Sequence, residues 1–168
     1  MNQRQVSGWA AAPDGVRLGV CTGLLAGVPQ VLVVQVLERV LKIRGEPADI
    51  GPRFVDRLAR RAERPQSPWI HWLLAAVFHF GYAAVWGGLY GAIQSRRRLP
   101  PTAAGLALTA LIYMLAFSRI GVATRLGSEP HPHRRERRRQ LIHLTAPLTY
   151  SMVLAYGFEW LRASNSTR

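Results

Sequence analysis

Residues 15–27 read "GVRLGVCTGLLAG" and place Gly15, Gly19, Gly23 and Gly27 four residues apart. In water each glycine weakens a helix by ~1 kcal/mol relative to alanine, so four in register make a poor soluble helix. Lipid changes that balance. Acyl chains are as apolar as leucine, so helices there gain little by burying side chains. They associate through close backbone approach instead. A line of glycines clears one stripe of a helix for a neighbour, and the stretch points to a membrane helix with a glycine zipper along one face.

The distribution of charge agrees. The chain has 168 residues, and residues 18–37, 65–95, 99–118 and 140–158 carry no Asp, Glu, Lys or Arg. A membrane-spanning helix needs ~20 predominantly apolar residues. Four such runs leave no room for a soluble core. The expected fold is all-α: a polytopic membrane protein of four transmembrane helices, forming one membrane domain over residues 1–168. The helices are expected at about 17–41, 68–94, 101–120 and 140–162, with residues 1–14 as a short tail. Trp69 and Trp72 at the entry of the second helix, and Trp86 and Tyr90 near its exit, suit the headgroup boundary. Tyr156 and Trp160 do the same at the end of the fourth, because their rings are apolar at one end and polar at the other. A cleaved leader is the alternative reading of residues 1–30, but the stretch has no compact basic region and no clear A-x-A site.

Two more lines repeat the four-residue step. The second helix carries Ala75, His79, Ala83, Gly87 and Gly91, and the fourth carries His143, Pro147, Ser151, Ala155 and Glu159. Packing within one bundle is the plain reading of these stripes. A pore or a partner-binding groove is the functional one.

Ionisable groups within a span are costly and point to function. His79 falls near mid-membrane on the small-residue line, where a neutral imidazole bonded to a neighbouring carbonyl or hydroxyl competes with a proton relay. His143 and Glu159 complete the intramembrane polar set. A bis-histidine haem needs two imidazoles at matching depth. His79 and His143 differ by about two turns, whereas His71 and His143 match but sit close to the interface. Arg17 and Glu159 approach one membrane face, and Glu38 and Arg119 the other, so each is a candidate ion pair fixing helix registry. The chain has one cysteine, Cys21, inside the first apolar run; it excludes an internal disulfide and any multi-cysteine metal site. His131 and His133 are separated by a proline and lack convergent ligands, so no metal site is expected. No nucleophile–base–acid set, H-E-x-x-H or phosphate-binding glycine loop appears. No cofactor and no enzymatic activity are therefore expected.

The formal net charge is +13. These charges flank spans and lack interleaved stacking aromatics, which argues against nucleic acid. In residues 49–64, Ile50, Phe54, Val55, Leu58 and Ala62 fall on one arc, and Arg53, Arg57, Arg60 and Arg64 on the opposite one. That is the pattern of an amphipathic helix lying in the headgroup plane. Arg134, Arg135, Arg137, Arg138 and Arg139 precede the fourth helix and form a second candidate patch for anionic headgroups. Lys and Arg in the first and third loops outnumber those elsewhere by about two to one, which by the positive-inside bias places both termini outside the cytoplasm.

The small-residue opening "GLLAGVPQ", the proline-containing loop, "FHFGYAAVWGGLYG" in the second helix and a last helix ending in "FEWLR" together resemble the YagU-like bacterial inner-membrane family. The resemblance covers roughly residues 17–162. It implies a multi-pass protein of the bacterial plasma membrane with a cytoplasmic N-terminus, opposite to the arginine count, and supplies no catalytic residues. The expected role is that of a structural or accessory subunit, packing against other membrane subunits or against further copies of itself. A small transporter or channel using His79 is the first alternative, and a haem- or quinone-binding subunit the second.

Overall fold

A computed structural model of the chain describes residues 7–42, 67–118, 121 and 137–166, with side chains from residue 14 to residue 165 within those ranges. The described residues form four helices and no strand: α1 (Ser7–Val40), α2 (Pro68–Arg96), α3 (Pro101–Phe117) and α4 (Arg137–Ser166). The amphipathic segment 49–64, and with it Arg53, Arg57, Arg60 and Arg64, lies outside the described residues. So do Arg119, His131, His133, Arg134 and Arg135.

Three of the four helices are long and apolar enough to cross a membrane: Asp14–Val40, Pro68–Arg96 and Arg137–Asn165. α3 has 17 residues, which at ~1.5 Å per residue covers about 26 Å against a hydrocarbon core of ~30 Å. It ends at Ser118, whose ψ of 173° is extended, rather than at residue 120.

Two helix starts differ from expectation. α1 begins at Ser7, ten residues before the expected start at 17, so part of the expected tail is helical. Ala10, Ala11 and Ala12 are the strongest helix formers available. Gly15 does not stop the helix, because it sits in a packed contact described below. α4 begins at Arg137 instead of 140; arginine is itself a good helix former, so the basic run continues the helix beyond its apolar stretch.

The helices run up, down, up and down. α1 packs along α2 and along α4, and α3 packs along α4. α2 and α3, although consecutive, touch little and are joined through a stapled turn. The Gln94 amide nitrogen donates to the Leu99 carbonyl at 3.2 Å, and the Gln94 Oε1 accepts the Leu99 N–H at 2.9 Å. The same nitrogen lies 2.9 Å from the Tyr90 hydroxyl. Pro100 and Pro101 then start α3, where the first turn needs no N–H donor.

At the opposite end, α1 closes at Lys42, which adopts a left-handed backbone with φ of 51°. The Arg138 guanidinium donates to the Leu41 carbonyl at 3.0 Å. It satisfies a carbonyl that has no partner within its own helix, and a cation there also suits the helix dipole.

The main core joins all four helices through Ala26, Ala83, Trp86, Tyr90, Leu108, Ile112, Tyr150, Leu154 and Phe158, among others. A smaller cluster, Val34, Ile142 and Ala146 with Leu37 and Leu41 against it, holds α1 to α4 at the Lys42 end. Leu25, Val28, Leu32, Val77, Val85 and Met114 face outward, as expected for helices whose solvent is lipid.

Candidate site at membrane depth

The glycines of α1 meet the small residues of α2 in one antiparallel register. Gly15 faces Gly91, Gly19 faces Gly87, and Gly23 faces Ala83. A Cβ on Gly19 would overlap the Gly87 carbonyl oxygen, and a Cβ on Gly87 would overlap that of Gly19. Gly91 bears the same relation to the Gly15 carbonyl, and a Cβ on Gly23 would stand 2.6 Å from the Ala83 oxygen. Backbone lies against backbone over these two turns. One step further the contact relaxes: a Cβ on Gly27 would meet the His79 ring at 3.4 Å and the Ala83 methyl at 3.5 Å, both ordinary van der Waals distances. The groove of α1 thus takes a helix of its own chain.

His79 occupies the place where that line of small residues ends. Its Nε2 lies 3.2 Å from the Gly27 carbonyl. A carbonyl only accepts, so Nε2 carries the proton in this arrangement. The ring is half-buried and stands edge-on to Phe80, with centroids 5.3 Å apart.

Tyr150 of α4 reaches across to the same seam. Its hydroxyl donates to the Ala83 carbonyl at 2.6 Å, from a side chain that is 3% exposed. Because Ala83 faces Gly23, this one bond ties α4 to the close α1–α2 contact. Sequence reading passed over Tyr150. The signal available was a tyrosine in the middle of an apolar helix, whose hydroxyl must find a partner when buried.

Three of the remaining hydroxyls at depth bond locally, whereas the buried Ser151 Oγ has no hydrogen-bond partner. Thr22 donates to the Leu18 and Gly19 carbonyls, Ser95 to that of Gly91 and Thr109 to that of Gly105. Ser151 is fully buried where α4 meets α3, close to Gly105. With His143, Pro147 and Ala155 it forms a buried line on α4. The His143 ring lies face to face with Phe117, centroids 4.4 Å apart at 17°. His71 stands edge-on to its neighbour Trp72 at 5.6 Å. Among the described residues no group of three His, Cys, Asp or Glu side chains is placed to hold a metal ion. Cys21 faces outward from α1.

The expected pair of Arg17 and Glu159 does not form. Glu159 takes Arg162 of its own helix, with 2.5 Å between Oε2 and Nη2, and Arg17 is exposed. A cation three residues along the same helix needs no second helix to bring it close, so the local pair wins. The pair of Glu38 and Arg119 rests on a residue outside those described. Of the basic run that opens α4, Arg137 and Arg138 are exposed and Arg139 is half-buried.

No protein-family model matches the chain, and neither the curated proteins nor the solved structures contain a match to it.

Proposed function

We propose that the chain is a four-span membrane protein without enzymatic activity, serving as a structural or accessory subunit beside other membrane helices. The observation that carries this reading is the use made of polar side chains at depth. His79 and Tyr150 both aim at backbone carbonyls of neighbouring helices, Gly27 and Ala83, which is the work of a packing device. The glycine lines face each other inside the chain, so association with partners falls to the outward apolar faces. A bacterial inner-membrane location rests on the likeness to the YagU-like family.

A crossing by α3 is supported by its register. It lies antiparallel to α4 from the bond between Thr102 and Tyr156, 2.7 Å, to the Phe117–His143 stack, so its two ends reach the levels where α4 turns polar. In a Cys21→Ser background, Ser67→Cys and Ser118→Cys should react with an impermeant maleimide from one side of sealed vesicles, and Ser164→Cys from the other. Labelling of Ser118→Cys from the side opposite Ser67→Cys removes the crossing by α3. For the subunit role, native mass measurement in mild detergent should show a stoichiometric partner or a homo-oligomer. A strict monomer in lipid nanodiscs sinks it.

The half-buried imidazole of His79 favours one second reading, a small transporter or channel. An ionisable group at membrane depth is a functional candidate by default. Proton flux into proteoliposomes that disappears in His79→Ala supports this reading, and flux unchanged in that variant takes His79 off the path.

A further inference from the structure

We propose that the seam between the end of α1 and the start of α4 binds an anionic phospholipid. The phosphate is held by Lys42, Arg137 and Arg138, and the acyl chains lie on Val36, Val40, Leu141 and Leu144. The inference rests on the reading of α1 and α4 as membrane helices.

The seam is fixed from both sides. Val34, Leu37 and Leu41 of α1 pack on Ile142 and Ala146 of α4, and Arg138 reaches over to the Leu41 carbonyl. That bond draws one guanidinium to the end of α1, where Lys42 is exposed on its left-handed turn. Arg137, next to Arg138 in the chain, opens α4 and is also exposed, and Arg39 adds a further exposed cation one turn back on α1. In sequence the nearest acids are Glu136, directly before Arg137, and Glu38 and Glu46, each four residues from Lys42; of these Glu38 is among the described residues. It is half-buried. Among the described residues, Arg39, Lys42, Arg137 and Arg138 outnumber Glu38 at this end of the seam.

What stands below the cations decides the kind of anion. Val36 and Val40 on α1 are 54% and 69% exposed, and Leu141 and Leu144 on α4 are 47% and 49% exposed. Val36 and Val40 lie one turn apart. Leu141 and Leu144 follow Arg137 at one-turn steps on α4, so each helix carries an exposed apolar wall within two turns of its cationic end. A soluble phosphate needs only the rim. A phospholipid needs both, with the headgroup at the rim and the chains along the wall. Arginine and lysine differ in how they serve. The Arg fork reaches two phosphate oxygens at once, while Lys42 supplies a compact point charge.

The test uses the full chain in a neutral detergent, titrated with phosphatidylglycerol or phosphatidylcholine, with bound lipid counted by native mass spectrometry. Phosphatidylglycerol should bind more tightly than phosphatidylcholine. Lys42→Gln and Arg137→Gln should each weaken it about fivefold, the equivalent of ~1 kcal/mol per cation at an anionic surface. Arg97→Gln, at the opposite face, should leave it unchanged. Arg138 is left intact because it also closes α1. Equal affinity for the two lipids overturns the proposal, as does undiminished binding by both seam variants. An equal loss in Arg97→Gln overturns it too, since the preference then belongs to overall charge. Displacement of the lipid by millimolar inorganic phosphate shows that the rim acts without the wall, and also overturns it. The maleimide labelling reports the fourth span separately, so failure there and failure here are told apart.

Discussion

The two halves of α2 have the same apolar character and opposite fates. From Ala83 to Gln94 the helix buries Ala83, Trp86, Gly87, Gly88, Tyr90, Gly91 and Gln94, whereas from Pro68 to Tyr82 it buries only Ala75. Trp69, Trp72 and Val77 in the first half are each at least 60% exposed. Hydrophobicity does not separate the halves, because lipid and protein interior are alike in polarity. Side-chain size does. The buried half is rich in glycine and alanine facing α1, and it adds Trp86 and Tyr90 facing the core. An aromatic series at four-residue steps, Phe78, Tyr82, Trp86 and Tyr90, runs across the boundary. Its first two rings stack at 6.3 Å and the next pair meet edge-on at 5.8 Å. The series passes from half-exposed to buried as α2 approaches the turn. In this helical bundle, steric room sets the interface.

The sharpest way to break this contrast is to fill the tight half. Gly19→Leu places a branched side chain where the Gly87 backbone stands, and backbone cannot rotate aside. The expected outcome is loss of the cooperative thermal transition followed by circular dichroism in micelles. A wild-type melt for Gly19→Leu removes the backbone-to-backbone contact from the account.

A milder pair measures the gradient along the same line. Gly19→Ala should cost ~1–3 kcal/mol, the usual range for overpacking. Gly27→Ala should change stability by no more than about 0.5 kcal/mol, since its added methyl meets neighbours at 3.4 Å or more. Both are read from steric-trap or denaturant unfolding of the same preparation. Equal costs at the two positions contradict the gradient. The comparison bears on what sequence can reveal. The four-residue spacing disclosed both small-residue lines, and the charge-free runs disclosed the helices. That the lines oppose each other residue for residue was not legible, because spacing within a helix says nothing of its partner's register. Side-chain bonds across helices were hidden for the same reason: Tyr150 to Ala83 and Arg138 to Leu41 join residues 67 and 97 positions apart. The Glu159–Arg162 pair was legible from its three-residue spacing alone, and a longer-range partner was expected in its place.

Tyr150→Phe isolates the bond from α4 to the tight half while keeping the ring. Interhelical hydrogen bonds in membranes average ~0.6 kcal/mol and reach ~1.7. The short 2.6 Å contact puts Tyr150 toward the upper part of that range. The loss should shrink in a Gly19→Ala background, because a seam already forced apart leaves less of the bond to lose. A double-mutant cycle on unfolding free energy reads that coupling. Strict additivity of the two changes separates Tyr150 from the α1–α2 seam.

The smallest effect comes from the loose half, and its sign is reversed. Gly81 is exposed, and a Cβ there would meet nothing within 4 Å. The glycine therefore gives up helix stability without serving a contact in the bundle. Gly81→Ala should raise stability by about 0.5 kcal/mol, at the low end of the glycine penalty. The measurement is the same unfolding assay in two settings, detergent-solubilised monomer and native membrane lipid. A gain in both agrees with a lipid-facing α2. If the gain in detergent turns into a loss in the native membrane, Gly81 faces another helix there, and the half of α2 that is bare in the single chain is where a partner approaches.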